Sequence, residues 1–412
     1  VVSREEFEHN LIKAAQTGLV EKLNSEELEQ IRMGEAVFTR RLGLLQEASF
    51  PLLRVFHQFQ LDDFQRSVLL LAYAARLDTK YERLFAYLQD DITKKAPSVS
   101  LAVQLYLPQG KTVEEYMALF SRESLFTSLF MEGPLQEGNL QLKPMVLEYL
   151  SAGTIASRDG LWVFDGRAEE PEDPLVTGLE LADQLTLVMQ GRPQAVALTG
   201  PEGVGRRFQI QHLMTKRGEI CLFADLASQE DKARAVARAV LAARLLDAYL
   251  CCSGLDSVNA EGEIEPASPA MCQALTEADT GKEPLFLVSH KKLTRPARPV
   301  TMEFSLEVPE ENERLALFTH YFQPVPLGEE VSLQELSAKF RFVPRQIKER
   351  QPRRPALAQI QGEPLNNAAV HRCCYRQVVH RLDKLAKRIE PQLLLGGCSS
   401  APNAEKTHAA GL

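Results

Sequence analysis

Ala195-Val196-Ala197-Leu198-Thr199-Gly200-Pro201-Glu202-Gly203-Val204-Gly205-Arg206-Arg207 reads as a short buried strand, a glycine-rich loop and the first turn of a helix. Gly200 and Gly205 are separated by four residues, the spacing of a phosphate-binding loop, G-x-x-x-x-G-K-[ST]. Glycines there let backbone amides turn inward around phosphate oxygens, helped by the positive end of the next helix. The last two positions depart from the pattern. Arg206 stands where the phosphate-contacting lysine belongs, and Arg207 where a hydroxyl would hold Mg²⁺. Arginine still pairs with phosphate, as a planar fork rather than a point charge, but it is no Mg²⁺ ligand. The loop therefore predicts ATP or ADP as ligand and leaves Mg²⁺ without its usual partner. The plain alternative is a glycine-rich turn with no ligand.

The strand–helix alternation continues beyond the loop and predicts a parallel sheet with covering helices. Predicted strands cover 220–225, 248–252, 284–289 and 300–306. Predicted helices cover 179–189, 231–246 and 310–321. Ligands of such sheets bind at the carboxyl ends of the strands, where Asp256 and Ser289 fall. An active site for nucleotide hydrolysis needs paired carboxylates after the third strand. Here that strand ends Cys251-Cys252-Ser253-Gly254, with Asp256 a few residues late. Asp256 reads either as a holder of metal-bound water or as a loop aspartate. Ser289 reads either as a γ-phosphate sensor or as a turn residue. With lysine, hydroxyl and carboxylate pair all absent, hydrolysis is not expected, and no catalytic residue is assigned.

Upstream, residues 4–31 read as a helical lead-in, with Phe7, Leu11, Ile12 and Ala15 falling on one face at helical spacing. Helices are expected over 36–45, from Leu61-Asp62-Asp63-Phe64 through Ala75, over 81–88 and 99–107, and from Thr112. Residues 140–150 read as strand or helix, and 155–164, with the only tryptophan, Trp162, as a short hairpin. Helices closed by a hairpin outline a winged helix. Asp62, Asp63, Asp78, Glu82, Asp90 and Asp91 argue against a DNA groove partner and for protein contacts. Residues 166–178, rich in acid and proline, read as a linker.

The 412 residues suffice for two or three domains, and 45% hydrophobic with 25% charged is ordinary for a globular protein. The net charge of −8 argues against a surface built for nucleic acid. No apolar run reaches the roughly 18–20 residues of a membrane span. Seven cysteines, two pairs of them adjacent, fit neither zinc spacing nor a disulfide framework. A cytoplasmic setting without a metal site is the expectation. Residues 341–388 are strongly basic. Arg345, at the start of a helix after Phe342-Val343-Pro344, reads as an arginine facing nucleotide, as part of a subunit contact, or as a solvated helical face.

Taken together, Gly200 to Arg207, Asp256, Ser289, Arg314 within Glu313-Arg314-Leu315-Ala316-Leu317-Phe318, and 342–347 resemble an AAA+ ATPase module. Phe59-Gln60-Leu61-Asp62-Asp63-Phe64 and Arg83-Leu84-Phe85-Ala86-Tyr87-Leu88-Gln89-Asp90-Asp91 resemble the amino-terminal winged-helix region of large bacterial AAA+ proteins, some encoded with extracellular contractile injection systems. The resemblance covers about residues 30–390. It implies a homo-oligomer with protein partners, Arg314 as a subunit-contact residue, and a second AAA+ module with intact motifs after this one. Residues 392–412 are of low complexity. Reading 391–406 one base onward permits Pro-Ser-Tyr-Ser-Trp-Glu-Asp-Val-Val-Leu-Pro, the expected junction, so a frameshifted tail on a truncated chain is the expectation; the coding DNA tests it.

The expected architecture is thus a mainly α winged-helix-like domain plus an α/β phosphate-loop domain with a helical lid. The segments are a lead-in at 1–30, the first domain at 31–165, a linker at 166–178, the α/β domain at 179–325, the lid at 326–390 and a disordered tail at 391–412. The predicted nucleotide contacts are Gly200, Pro201, Glu202, Gly203, Val204, Gly205, Arg206, Arg207, Asp256, Ser289 and Arg345. Two other functions fit the same residues: a winged-helix DNA-binding regulator, and a scaffold whose loop is vestigial.

Overall fold

The computed structural model describes residues 29–30, 33–34, 36–37, 40, 50–106, 118–121, 124–132, 138–258, 264–265, 269–292, 301–324, 327–350 and 366–375. The lead-in, the helix expected from Thr112 and the tail lie outside or almost wholly outside them. Two compact units divide the chain, Val1–Glu307 and Val308–Leu412.

The first unit begins with α1 (Pro51–Gln58), α2 (Asp63–Leu77), α3 (Thr79–Leu88), α4 (Val99–Tyr106), α5 (Leu125–Phe130) and α6 (Pro144–Ala152). Asp62 starts α2 with a capping box, accepting from the Gln65 amide while Gln65 returns a carbonyl to the Asp62 N–H. Phe64, Val68, Leu69, Leu71 and Ala72 give α2 its buried face. The small β element is not the expected hairpin at 155–164. Bridges Ser98↔Asn139 and Met131↔Leu142 supply it instead, and α6 follows at once.

Leu161–Asp165 (β1) belongs to the next layer. It forms the antiparallel edge of a six-stranded sheet with β2 (Ala195–Thr199), β3 (Ile220–Asp225), β4 (Tyr249–Ser253), β7 (Leu285–Ser289) and β8 (Thr301–Ser305), in the order β1-β3-β4-β7-β2-β8. The other pairings are parallel. A cross-strand pair joins this edge to β3: Trp162 lies opposite Phe223, their rings stacked at 4.0 Å and 5°. A two-stranded piece, β5 (Ser257–Val258) with β6 (Ile264–Glu265), lies after β4.

Alternation along the strands sorts the core onto two faces. Ala195, Ala197, Leu222, Ala224, Leu250, Cys252, Leu285 and Leu287 join one cluster with α9 (Lys232–Leu246), α10 (Pro269–Glu277) and the helices of the amino-terminal domain. Val196, Leu198, Cys221, Phe223, Cys251, Phe286 and Val288 join the other with α7 (Leu179–Gln190) and α8 (Arg206–Arg217). Burial on both faces explains the unbroken apolar runs. Cys251 and Cys252 are fully buried, and burial pushes the Cys252 thiol up to about 12, as expected of small core hydrophobes.

The expected linker is pinned down. Thr215 Oγ1, His212 Nε2 and Gln209 Nε2 of α8 donate to the carbonyls of Glu169 (3.4 Å), Asp173 (3.1 Å), and Thr177 and Gly178 (3.4 Å each). Residues 169–178 therefore run as a strap along one face of α8 toward the glycine loop.

The second unit contains α11 (Glu311–Phe322), α12 (Leu333–Lys339), α13 (Pro344–Glu349) and α14 (Asn367–Tyr375). The helix over Arg314, expected with the α/β domain, groups instead with the helices of 327–375.

Candidate functional site

The parallel register brings Thr199, Ser289 and Ser305 level at the carboxyl edge of the sheet, with Asp225 and Ser253 paired further along it. The glycine loop rises from this edge. Gly200, Gly203 and Gly205 have φ of +144°, +83° and +103°, a conformation that only glycine adopts without strain. At Gly200 there is also no room: a Cβ would lie 2.2 Å from the Leu306 carbonyl oxygen, which follows β8. The Gly200 amide donates to the His290 carbonyl at 3.2 Å. Val204 is buried beneath the loop, while Pro201 and Glu202 are exposed. Gly205 caps α8, and a Cβ there would meet only Phe208 Cβ at 3.9 Å. The loop is clamped at its first glycine and open at its last.

Arg206 opens α8 and crosses to the next strand, its Nη1 donating to the Ser289 carbonyl. Burial pulls this guanidinium below its ordinary value; the Asp256 charge opposes that and Arg207 adds to it. Arg207 is more exposed and leans toward Asp225, Nη2 to Oδ2 3.8 Å. The Asp225 Oδ1 meanwhile accepts from the Ala227 amide at 3.1 Å.

Asp256 is 6% exposed. Its Oδ2 accepts from the amides of His290 (2.7 Å) and Lys291 (3.3 Å), and its Oδ1 lies 3.0 Å from His290 Nδ1. A carboxylate only accepts, so that ring nitrogen is the donor. Of its two readings, the aspartate that builds a loop is the one the contacts describe: it locks the turn after β7. Ser289 is buried, its hydroxyl donating to the Lys291 carbonyl at 2.8 Å. Among the described residues, no group of three or more His, Cys, Asp or Glu side chains could hold a metal ion.

Two predicted residues lie in the second unit. Arg314 is 6% exposed, with Nε donating to the Ser337 carbonyl at 2.9 Å and Nη1 to the Pro309 carbonyl at 2.5 Å. It brackets α11 to the segment holding α12. Arg314→Met should therefore cost about 3 kcal/mol, because two buried carbonyls lose their donors. Chemical denaturation checks this; unchanged stability with altered oligomer size would instead make Arg314 a contact residue. Arg345 pairs with Glu349 at 2.7 Å on the exposed side of α13. Within the basic segment, Arg350 is a core residue: it is 5% exposed, lies 3.4 Å from the Phe342 ring centroid, and donates to the Gln346 carbonyl at 2.9 Å.

Sequence reasoning missed His290, which completes the Asp256 turn, and Gln209, which ties the strap to α8. Neither carries a local signal. In the amino-terminal domain α5, which leads into the bridged segment, reads Leu-Phe-Thr-Ser-Leu-Phe and holds no basic side chain for a DNA groove. A cavity of about 670 Å³, lined by Met189, Arg192, Arg217, Tyr249, Gly281 and Glu283 among others, opens at the opposite end of the strands from the loop.

Fold and site together define a winged-helix region joined to an α/β domain with a phosphate-loop-shaped turn. The family model "Winged helix domain, variant" matches residues 4–134. Among solved structures, a chain described as "Structural Basis for Katanin Self-Assembly" is similar with a TM-score of 0.38 and 12% identity, over 52% of this chain and 87% of that one; a likeness at that level is too distant to argue from. No curated protein matches the chain.

Proposed function

We propose that this chain is a nucleotide-holding, non-hydrolysing AAA+-like module of an oligomeric machine that remodels or assembles proteins. The support is the loop itself: three glycines at positive φ at the carboxyl end of an interior parallel strand, one in from the edge, the last capping a helix whose first two residues are arginines. The positive end of α8 and the side chains of Arg206 and Arg207 at its start are the kinds of group that hold a phosphate. The lack of turnover rests on Asp256 being committed to His290 and Lys291, and on Cys251-Cys252-Ser253 standing where the hydrolytic carboxylates would be. The ligand would be ATP or ADP, the setting the cytoplasm, and the partners copies of this chain and client proteins. A link to contractile injection particles follows from the sequence resemblance alone.

The test is phosphate release from ATP by the full chain, run beside thermal unfolding with and without adenine nucleotide. Release at the buffer level is expected together with a nucleotide-dependent rise in Tm, since a ligand that binds only the folded state stabilises it. Turnover that Gly205→Glu abolishes would contradict the non-hydrolysing assignment.

A further inference from the structure

We infer, resting on the phosphate-loop reading, that this site takes a nucleoside diphosphate in preference to a triphosphate, and takes it without a divalent cation. In a loop of this spacing the side chain at the position of Arg206 reaches the β- and γ-phosphates. Here that side chain ends on the Ser289 carbonyl, at the tip of the strand beside β2. A guanidinium is larger than the ammonium it replaces and is held in plane by its bonds. It takes up the space between loop and strand tip that a terminal phosphate would enter. Its remaining N–H groups are still able to meet a β-phosphate at the loop mouth.

A triphosphate in solution carries Mg²⁺, which prefers six oxygen ligands in near-octahedral geometry. At position 207 an arginine replaces the hydroxyl ligand. Both Asp256 oxygens already accept from His290 and Lys291, and Asp225 accepts from Ala227 and faces Arg207. Among the described residues, both aspartates of this edge are thus already engaged and no hydroxyl stands at position 207 to take the cation, whereas the charge of a diphosphate is met by Arg206 and Arg207. The site is a diphosphate holder closed on its γ side by its own arginine.

The experiment is calorimetric titration of the full chain with ADP and with ATP, each in EDTA and in excess Mg²⁺. ADP should bind equally well in both buffers, and ATP should bind at least about tenfold more weakly. Arg206→Ala, which opens the γ side, should narrow the ratio between the two; Arg206→Lys, shorter but still charged, should narrow it while keeping ADP affinity closer to that of the unsubstituted chain. If ATP binds as tightly as ADP, or ADP binding disappears in EDTA, this inference is overturned while the phosphate loop stands. If the unsubstituted chain binds neither nucleotide under any condition, the phosphate-loop reading fails and takes this one with it.

Discussion

Gly200→Ala is expected to destabilise the first unit by about 3 kcal/mol or more, the range reserved for backbone strain combined with a steric clash. The added methyl would sit 2.2 Å from the Leu306 carbonyl oxygen and 3.3 Å from Val204 Cγ1, at a φ of +144°. Neither neighbour is free to move. The Leu306 amide is bound to the Thr199 carbonyl at 2.8 Å, and Val204 is 7% exposed. Gly205→Ala is the internal comparison: the same loop and also a positive φ, but the nearest atom is 3.9 Å away. It should cost only the conformational strain, about 1–2 kcal/mol. Trp162, the only tryptophan, stacks on β3 and reports unfolding of this sheet. Equal denaturation midpoints for the two variants would show that Leu306 does not clamp the loop.

Asp256→Ala should cost about 2–4 kcal/mol, because the amides of His290 and Lys291 and the His290 ring all lose a charged acceptor that is itself buried. Asp256→Asn keeps an acceptor oxygen and should lose less. A metal-positioning aspartate would behave in the opposite way: its removal relieves crowded charge and leaves the fold intact, while nucleotide affinity becomes insensitive to Mg²⁺. Urea midpoints of the two variants separate the cases. Unchanged stability in Asp256→Ala would return this residue to the list of candidate metal contacts.

The parallel strands and the loop were legible because their signal is local. Apolar runs such as Ala195–Thr199 and Leu285–Ser289 are buried on both faces, and glycines at fixed spacing announce a turn that other residues resist. What escaped detection depends on partners distant in the chain. Residues 166–178 have the composition of a linker, yet Gln209, His212 and Thr215 hold them from a helix that begins only after the loop. Trp162 suggested a hairpin because its partner, Phe223, lies beyond both α7 and α8. Asp256 was ambiguous for the same reason, since the donors that fix it are 34 and 35 residues on. Arg314 and Arg350 carry charge, which in sequence reads as surface; the carbonyls and the ring that accommodate them become visible only in the packed helices.

The central claim is that the loop from Gly200 to Gly205 holds phosphate, and titration of ADP into the full chain and into Gly205→Glu tests it most directly. Gly205→Ala serves as the folded control without added charge. Saturable binding to the unsubstituted chain is expected, retained in part by Gly205→Ala and lost in Gly205→Glu, where a carboxylate stands at the helix cap in place of the anion. Binding that survives Gly205→Glu unchanged, or no binding at millimolar ADP, would contradict it.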